Sequence, residues 1–226
     1  MLGEPVGRDT LNAVGFTATV LHKLDPDAVF AVLTADHIIR PQDEFARCLD
    51  VGYSLVEADP SRFVTFGITP TYPSTGYGYV ELGNELSKKA FSCKRFVEKP
   101  DLKTAEQYIA SGNFKWNSGM FVFHAGTFLD SLQLFHPETA NGLQKIGDAW
   151  GTDSQERVLD EIYPTLPKIS VDYGMMEPCS SDETISIVTV PMNVEWLDVG
   201  SWPSYGETLT ADESKNRSNC KTAHLD

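Results

Sequence analysis

The sequence predicts an α/β fold in which helices cover a mixed, mostly parallel central sheet. Three observations carry this. The first third of the chain alternates helix and strand patterns, and that alternation implies parallel pairing with covering helices. The run Ala28 to Leu33 is continuously apolar, as expected of a strand buried on both faces. With 226 residues, 41% hydrophobic and 22% charged, the chain has ordinary globular composition and enough length for a real core.

The elements follow in order. Asp9-Thr10 reads as a helix start, and Leu11, Val14, Ala18, Leu21 and Leu24 recur at helical spacing up to Asp25-Pro26. After the apolar strand, Pro41-Gln42-Asp43-Glu44 opens a second helix, with Phe45, Leu49, Gly52, Leu55 and Val56 on its inner face. Phe63 to Ile68 is the next strand. Pro70, Pro73, Gly76 and Gly78 then make a loop, and Tyr77 to Leu82 and Cys93 to Glu98 look extended. Thr104 to Ser111 is a short helix ending at Gly112, and Trp116 to Phe123 returns to strand. Thr127 to Phe135 is helical, and Pro137 to about Tyr163 holds one or two more helices. Ser170 to Glu177 opens another, with Asp172 near its start. Thr184 to Val190 and Val194 to Leu197 look extended, and Ser201 to Leu209 is the last helix. Residues 1–210 read as one domain, followed by a polar tail, 211–226.

The bulk properties exclude several classes. A net charge of −14 argues against a nucleic-acid partner, because phosphate backbones select for Lys and Arg. Cys48, Cys93, Cys179 and Cys220 form no Cys-x-x-Cys pair, so a zinc site is not expected, and scattered cysteines suit a reducing cytoplasm. No apolar run reaches the roughly 18–20 residues of a membrane span. The N-terminus has neither the basic region nor the apolar stretch of a signal peptide.

Six segments carry candidate chemistry. Asp36, in Ala31-Val32-Leu33-Thr34-Ala35-Asp36-His37, and Asp198, in Glu195-Trp196-Leu197-Asp198-Val199-Gly200, each follow an apolar extended stretch. Ligands of open α/β sheets bind at the carboxyl ends of strands, and two such carboxylates are able to share one divalent cation beside phosphates. Either aspartate alone reads equally as a helix cap or turn former. Thr75-Gly76-Tyr77-Gly78-Tyr79 is a loop whose glycines let backbone approach a ligand, or a bend entering a strand.

Phe96-Val97-Glu98-Lys99-Pro100 ends a strand. The residue before proline is biased to extended backbone, which sends Glu98 and Lys99 to opposite sides. Trp116-Asn117-Ser118-Gly119 places an amide, able to donate and accept, before an apolar strand. Glu4-Pro5-Val6-Gly7-Arg8-Asp9-Thr10 puts a carboxylate and a guanidinium before a helix N-terminus, which favours anions. His37 is read as structural rather than as an acid or base.

In this order the stretches EPVGRDT, LTADHII, FGITPTYPSTGYGYVELG, FVEKPDLKTAEQYIASGNFKWNSGMFVF, ISVDYGMMEP and VEWLDVGSW, spanning residues 4 to 202, resemble the bacterial mannose-1-phosphate guanylyltransferases, or GDP-mannose pyrophosphorylases. Each is modest alone, and six in register are specific. The resemblance implies a nucleotide-diphospho-sugar transferase (Rossmann-like) fold and transfer of GMP from GTP to mannose 1-phosphate, giving GDP-mannose and pyrophosphate. It implies that Asp36 and Asp198 hold Mg2+, that Glu98 and Asn117 meet sugar hydroxyls, and that Lys99 meets the sugar phosphate. It further implies that Gly78 touches the sugar through its backbone, that Glu4 and Arg8 belong to the guanosine side, and that Asp172 lies near the sugar. A homodimer is compatible with it.

Two departures from the pattern stand out. The family has Arg-Asn-Thr where this chain has Arg8-Asp9-Thr10, which places an extra negative charge by the triphosphate unless Asp9 only caps the helix. The family's first strand and glycine-rich triphosphate loop precede the EPVGRDT segment, and here only Met1-Leu2-Gly3 does. The expectation is therefore a domain truncated at its N-terminus, with an unpaired sheet edge and little or no activity alone. The alternatives are a nucleotidyltransferase for another sugar 1-phosphate and a non-catalytic sugar-nucleotide-binding or regulatory homologue.

Overall fold

The computed structural model describes residues 1–87, 89–182, 184–212 and 215–218. Its main sheet is built from β1 (Val29–Val32), β3 (Arg62–Ile68), β4 (Tyr79–Ser87), β5 (Ala90–Val97), β6 (Phe114–His124) and β7 (Ser186–Met192), in the order β1-β6-β3-β7-β5-β4. The remaining two strands, β2 (His37–Arg40) and β8 (Glu195–Asp198), form a separate antiparallel ribbon.

The sheet is mixed, as expected, but its parallel share is smaller than the helix–strand alternation suggests. Among the described residues only β3 and β7 pair in parallel. The reason is β6. This eleven-residue strand runs antiparallel between β1 and β3, so two strands expected to lie side by side are separated by it. Its first residues, Phe114 to Trp116, also pair with β4, which hydrogen-bonds to β5 on its other side. At the end of the sheet order, β1 has no second partner strand among the described residues.

Helices cover both faces. On one side α1 (Asp9–Leu24), α4 (Ala125–Phe135) and α5 (Pro137–Ala149) bury Leu11, Phe16, Phe128, Leu132 and Leu143 against Phe63, Phe121 and Phe123. On the other, α2 (Gln42–Ala58) and α3 (Leu102–Ser111) bury Cys48, Val56 and Tyr108 against Val64, Phe66, Val122 and Val190. The side-chain period of two explains the split: Phe63 and Val64, or Phe121 and Val122, point to opposite cores. Lys23, in the last turn of α1, donates to the carbonyls of Gly147 (2.6 Å) and Trp150 (2.8 Å), satisfying the orphaned end of α5.

Local details refine the expected elements. The stretch after Pro137 resolves into α5, α6 (Gln155–Ile162) and a 3-10 turn at Tyr163–Thr165. The helix expected over Ser170 to Glu177 is a π-helical turn, Asp172–Met176, followed by the short α7 (Glu177–Cys179). The last helix, α8, is Trp202–Glu207, closed by a capping box between Ser201 and Ser204. Asp9 does not cap α1. It takes a left-handed φ of 65° at the start of the helix, and its Oδ1 accepts from the Thr10 N–H at 2.8 Å. Asp and Asn are the residues best able to adopt that conformation. The end of the expected tail, with Cys220, lies outside the described residues, while Ala211 bridges to Arg217 within it. Among the described residues no helix is long and apolar enough to cross a membrane.

Candidate active site

Two clusters gather most of the candidate residues. The first is built on β4, β5, β6 and the π turn. Asn117, in β6, is held at several atoms. Its backbone N–H donates to the Gly78 carbonyl at 2.8 Å, and its Oδ1 accepts from the Thr65 hydroxyl at 2.9 Å. That leaves its amide N–H to donate to Asp172 Oδ1 at 2.8 Å. Glu98 follows β5 and points at the same place. A Cβ at position 78 would collide with Glu98 Oε2 and lie 3.3 Å from Asn117 Cβ, so any larger residue would have to displace the Glu98 carboxyl. Gly78, Glu98, Asn117 and Asp172 thus converge.

The electrostatics of this cluster are unusual. Glu98 keeps only 8% of its side chain exposed, and its Oε2 has no hydrogen-bond partner among the described residues. Burial, and then the nearby Asp172, push its carboxyl up to about 7, with Lys99 acting in the other direction. Burial likewise raises Asp172, against the hydrogen bond from Asn117. Two acids share a desolvated pocket that carries an unmet acceptor. Such a pocket suits a ligand rich in hydroxyl donors.

Lys99 stands beside it. Its backbone is not extended, as the following proline suggests, but left-handed with φ 45°. The consequence is that Lys99 and Glu98 do not diverge: Nζ lies 3.4 Å from Glu98 Oε1, and the ammonium is half exposed at the pocket rim. A non-glycine residue held at positive φ is strained, and such strain concentrates at ligand clamps.

The Asp172 turn is stitched to the N-terminal segment. Thr10 Oγ1 accepts from the Val171 N–H at 2.8 Å, and the Leu11 N–H donates to the Ile169 carbonyl at 3.2 Å. Asn12 bridges the carbonyls of Arg8 (2.6 Å) and Pro167 (2.8 Å). From α4's side, His136 Nε2 donates to the Gly174 carbonyl at 2.7 Å. Isolated π turns are frequent at functional sites, and this one presents Asp172. Glu4 accepts from the Tyr163 hydroxyl at 2.5 Å, and Arg8 buries a partnerless Nε at the entrance of α1.

The second cluster is the β2–β8 ribbon. His37 and Asp198 are direct cross-strand partners, and Asp36 sits in the bend just before β2. His37 Nε2 lies 4.0 Å from Asp36 Oδ1 and 3.9 Å from Asp198 Oδ1. Burial lowers the His37 imidazole below its usual range, more than the two aspartates raise it. Asp36 is 61% exposed and Asp198 32%. Among the described residues no three His, Cys, Asp or Glu side chains are arranged to hold a metal by themselves. Mg2+ is commonly held by one or two carboxylates with substrate phosphates and water completing the octahedron, so the pair fits that ion.

Tyr77 joins the clusters. Its ring packs edge-on against Trp196 of the ribbon (5.0 Å) and Trp116 of β6 (5.2 Å), and with Asp198 it lines a cavity of about 400 Å³. Tyr79, by contrast, is fully buried with its hydroxyl on the Ser74 carbonyl at 2.9 Å, so it belongs to the core and not to a ligand wall. The sequence motifs miss Thr65 and Tyr163, and they include Tyr77 and Trp196 without showing that the two rings pack together. Thr65 left a trace, as the one hydroxyl inside Phe63-Val64-Thr65-Phe66. The aromatic contacts join residues distant in sequence and left none.

Residues 1–215 match the family of nucleotidyl transferases. The chain belongs to that family. It is 38% identical over 227 residues to the xanthan biosynthesis protein XanB of Xanthomonas campestris pv. campestris, covering 100% of this chain and 47% of that protein. It is 40% identical over 211 residues to a mannose-1-phosphate guanylyltransferase of Escherichia coli, covering 90% and 43%. The nucleotidyl transferase chain thus spans about half the length of these relatives. A solved structure described as mannose-1-phosphate geranyltransferase from Thermus thermophilus superposes with a TM-score of 0.79 at 31% identity, covering 93% of this chain and 58% of that one. A UDP-glucose pyrophosphorylase complexed with UDP-glucose shares the fold, with a TM-score of 0.52 at 16% identity.

Proposed function

We propose that this nucleotidyl transferase chain carries the sugar-phosphate and metal side of a mannose-1-phosphate guanylyltransferase, acting on GTP and mannose 1-phosphate in the cytoplasm. The observation that carries the reading is the convergence of Gly78, Glu98, Asn117 and Asp172 on one desolvated pocket with Lys99 at its rim. Glu98 and Asp172 accept from sugar hydroxyls, and the Gly78 backbone lets the ring approach. Lys99 draws in the sugar phosphate and offsets repulsion between the two anionic substrates. It aligns a phosphate oxygen for in-line attack on the α-phosphorus of GTP, from which pyrophosphate leaves. Asp36 and Asp198 hold Mg2+, whose charge, when bound, offsets that of the phosphates. Arg8 and Glu4 face the nucleotide, with Asp9 weakening its hold.

The experiment measures pyrophosphate release across a panel of nucleotides and sugar 1-phosphates. The reading expects release that requires both GTP and mannose 1-phosphate and disappears in Asp198→Asn. Preference for another substrate pair overturns the assignment.

A further inference from the structure

We propose that His37 is a positioning residue, whose Nε2–H faces Asp36 and Asp198 from 4.0 and 3.9 Å and orients the two carboxylates, through intervening water, toward one divalent cation. The inference rests on the metal reading of those aspartates and goes beyond it, since a ribbon histidine has an obvious alternative as mere packing.

The direction of the proton follows from Trp196. Its indole Nε1–H lies 3.1 Å from His37 Nδ1, and an indole nitrogen only donates. Nδ1 must therefore be the acceptor, which puts the ring proton on Nε2. That nitrogen is the atom that faces the two aspartates, at 4.0 and 3.9 Å. A ring with its proton there has no lone pair to offer a metal. His37 then orients the ligands without being one.

The ring is also unable to turn away. It packs edge-to-face on Trp196 at 5.1 Å and 87°, and Trp196 is itself wedged against Tyr77 and Trp116. The register pairs His37 directly with Asp198, which puts both side chains on one face of the ribbon. The Val199 N–H, on the carbonyl of Asp36 at 3.3 Å, ties down the third member. An outer-shell partner that orients metal carboxylates changes affinity by about 10-fold or more when removed.

The test uses Mn2+ alone, followed by electron paramagnetic resonance, on the chain and on Asp36→Asn/Asp198→Asn, His37→Leu and His37→Gln. Melting curves verify that each variant folds. The double variant abolishes the specific site if the metal reading holds. His37→Leu weakens Mn2+ about tenfold, and His37→Gln, which can place an amide N–H where Nε2–H was, recovers most of the loss. Pulsed spectra of the bound ion show no directly coordinated nitrogen.

Unchanged affinity in His37→Leu, failure of His37→Gln to recover a loss, or a nitrogen ligand to the metal would each overturn the proposal. Unchanged affinity in the double aspartate variant overturns the metal reading, and the role of His37 with it.

Discussion

The two clusters of this nucleotidyl transferase differ in how much of each is finished before any ligand arrives. At the cluster around Asn117 nearly every polar group is fixed: Thr65 holds Asn117, Asn117 holds Asp172, and Glu98 is packed against Gly78. At the β2–β8 ribbon the two aspartates stand partly in water, and only His37 behind them is locked. The pocket is preorganised at a cost in stability, because it holds two desolvated acids. The ribbon costs little, because its aspartates keep much of their contact with water. Changes at the pocket should therefore alter folding and binding together, whereas changes at the ribbon should alter binding alone.

The largest break in that contrast is Asn117→Leu. It strips the side-chain partner from Asp172, while Thr65 keeps the Met120 carbonyl at 3.3 Å, and leaving the buried acid without that partner costs roughly 3 kcal/mol. Chemical denaturation measures the loss, and retention of full stability contradicts the interlocked pocket.

Glu98→Gln comes next and works in the other direction. The folded chain holds Glu98 at about 7, above its ordinary 4.5, so the fold favours the protonated form. That contribution is fully present below pH 4.5 and is lost as pH rises through 7. By linkage the native chain loses about 2–3 kcal/mol relative to the glutamine variant across this window. Urea midpoints at pH 4.5 and pH 8 read the difference. A pH-independent gap between the two proteins contradicts the burial of this carboxyl.

A smaller effect separates strain from charge at Lys99. Glycine relieves the left-handed φ, so Lys99→Gly stabilises the chain by roughly 0.5–1 kcal/mol at pH 6, where Glu98 is mostly neutral. The same variant weakens mannose 1-phosphate binding about tenfold in calorimetry, through loss of one charge-assisted contact. The smallest effect belongs to the ribbon: Asp36→Asn shifts stability by less than about 0.5 kcal/mol, the surface norm. A larger loss means the ribbon carries structural weight that its exposure does not suggest.

The sequence made some of this architecture legible and hid the rest for physical reasons. The apolar run at Ala28 to Leu33 and the helical spacing from Leu11 to Leu24 announced β1 and α1, because burial writes its period into the chain. Gly78, Glu98 and Asn117 stood out through composition at strand ends. The antiparallel insertion of β6 between β1 and β3 was not legible, since the pairing partners lie far apart in the sequence. Nor was the convergence of Glu98 and Lys99. Local preference before Pro100 points to extended backbone, and the tertiary fit of Glu98 against Gly78 overrides it. His37 was visible as a residue but not as a donor, because its tautomer is set by Trp196, 159 positions away.

The central claim is that the Gly78–Glu98–Asn117–Asp172 pocket receives mannose 1-phosphate. Calorimetric titration of this sugar phosphate into the chain, compared with Asp172→Asn and Gly78→Ala, tests it most directly. The account predicts binding to the parent chain, weakened at least tenfold when a methyl group at position 78 fills the space against Glu98, and weakened again when Asp172 becomes an amide. Equal affinity in all three proteins would contradict it.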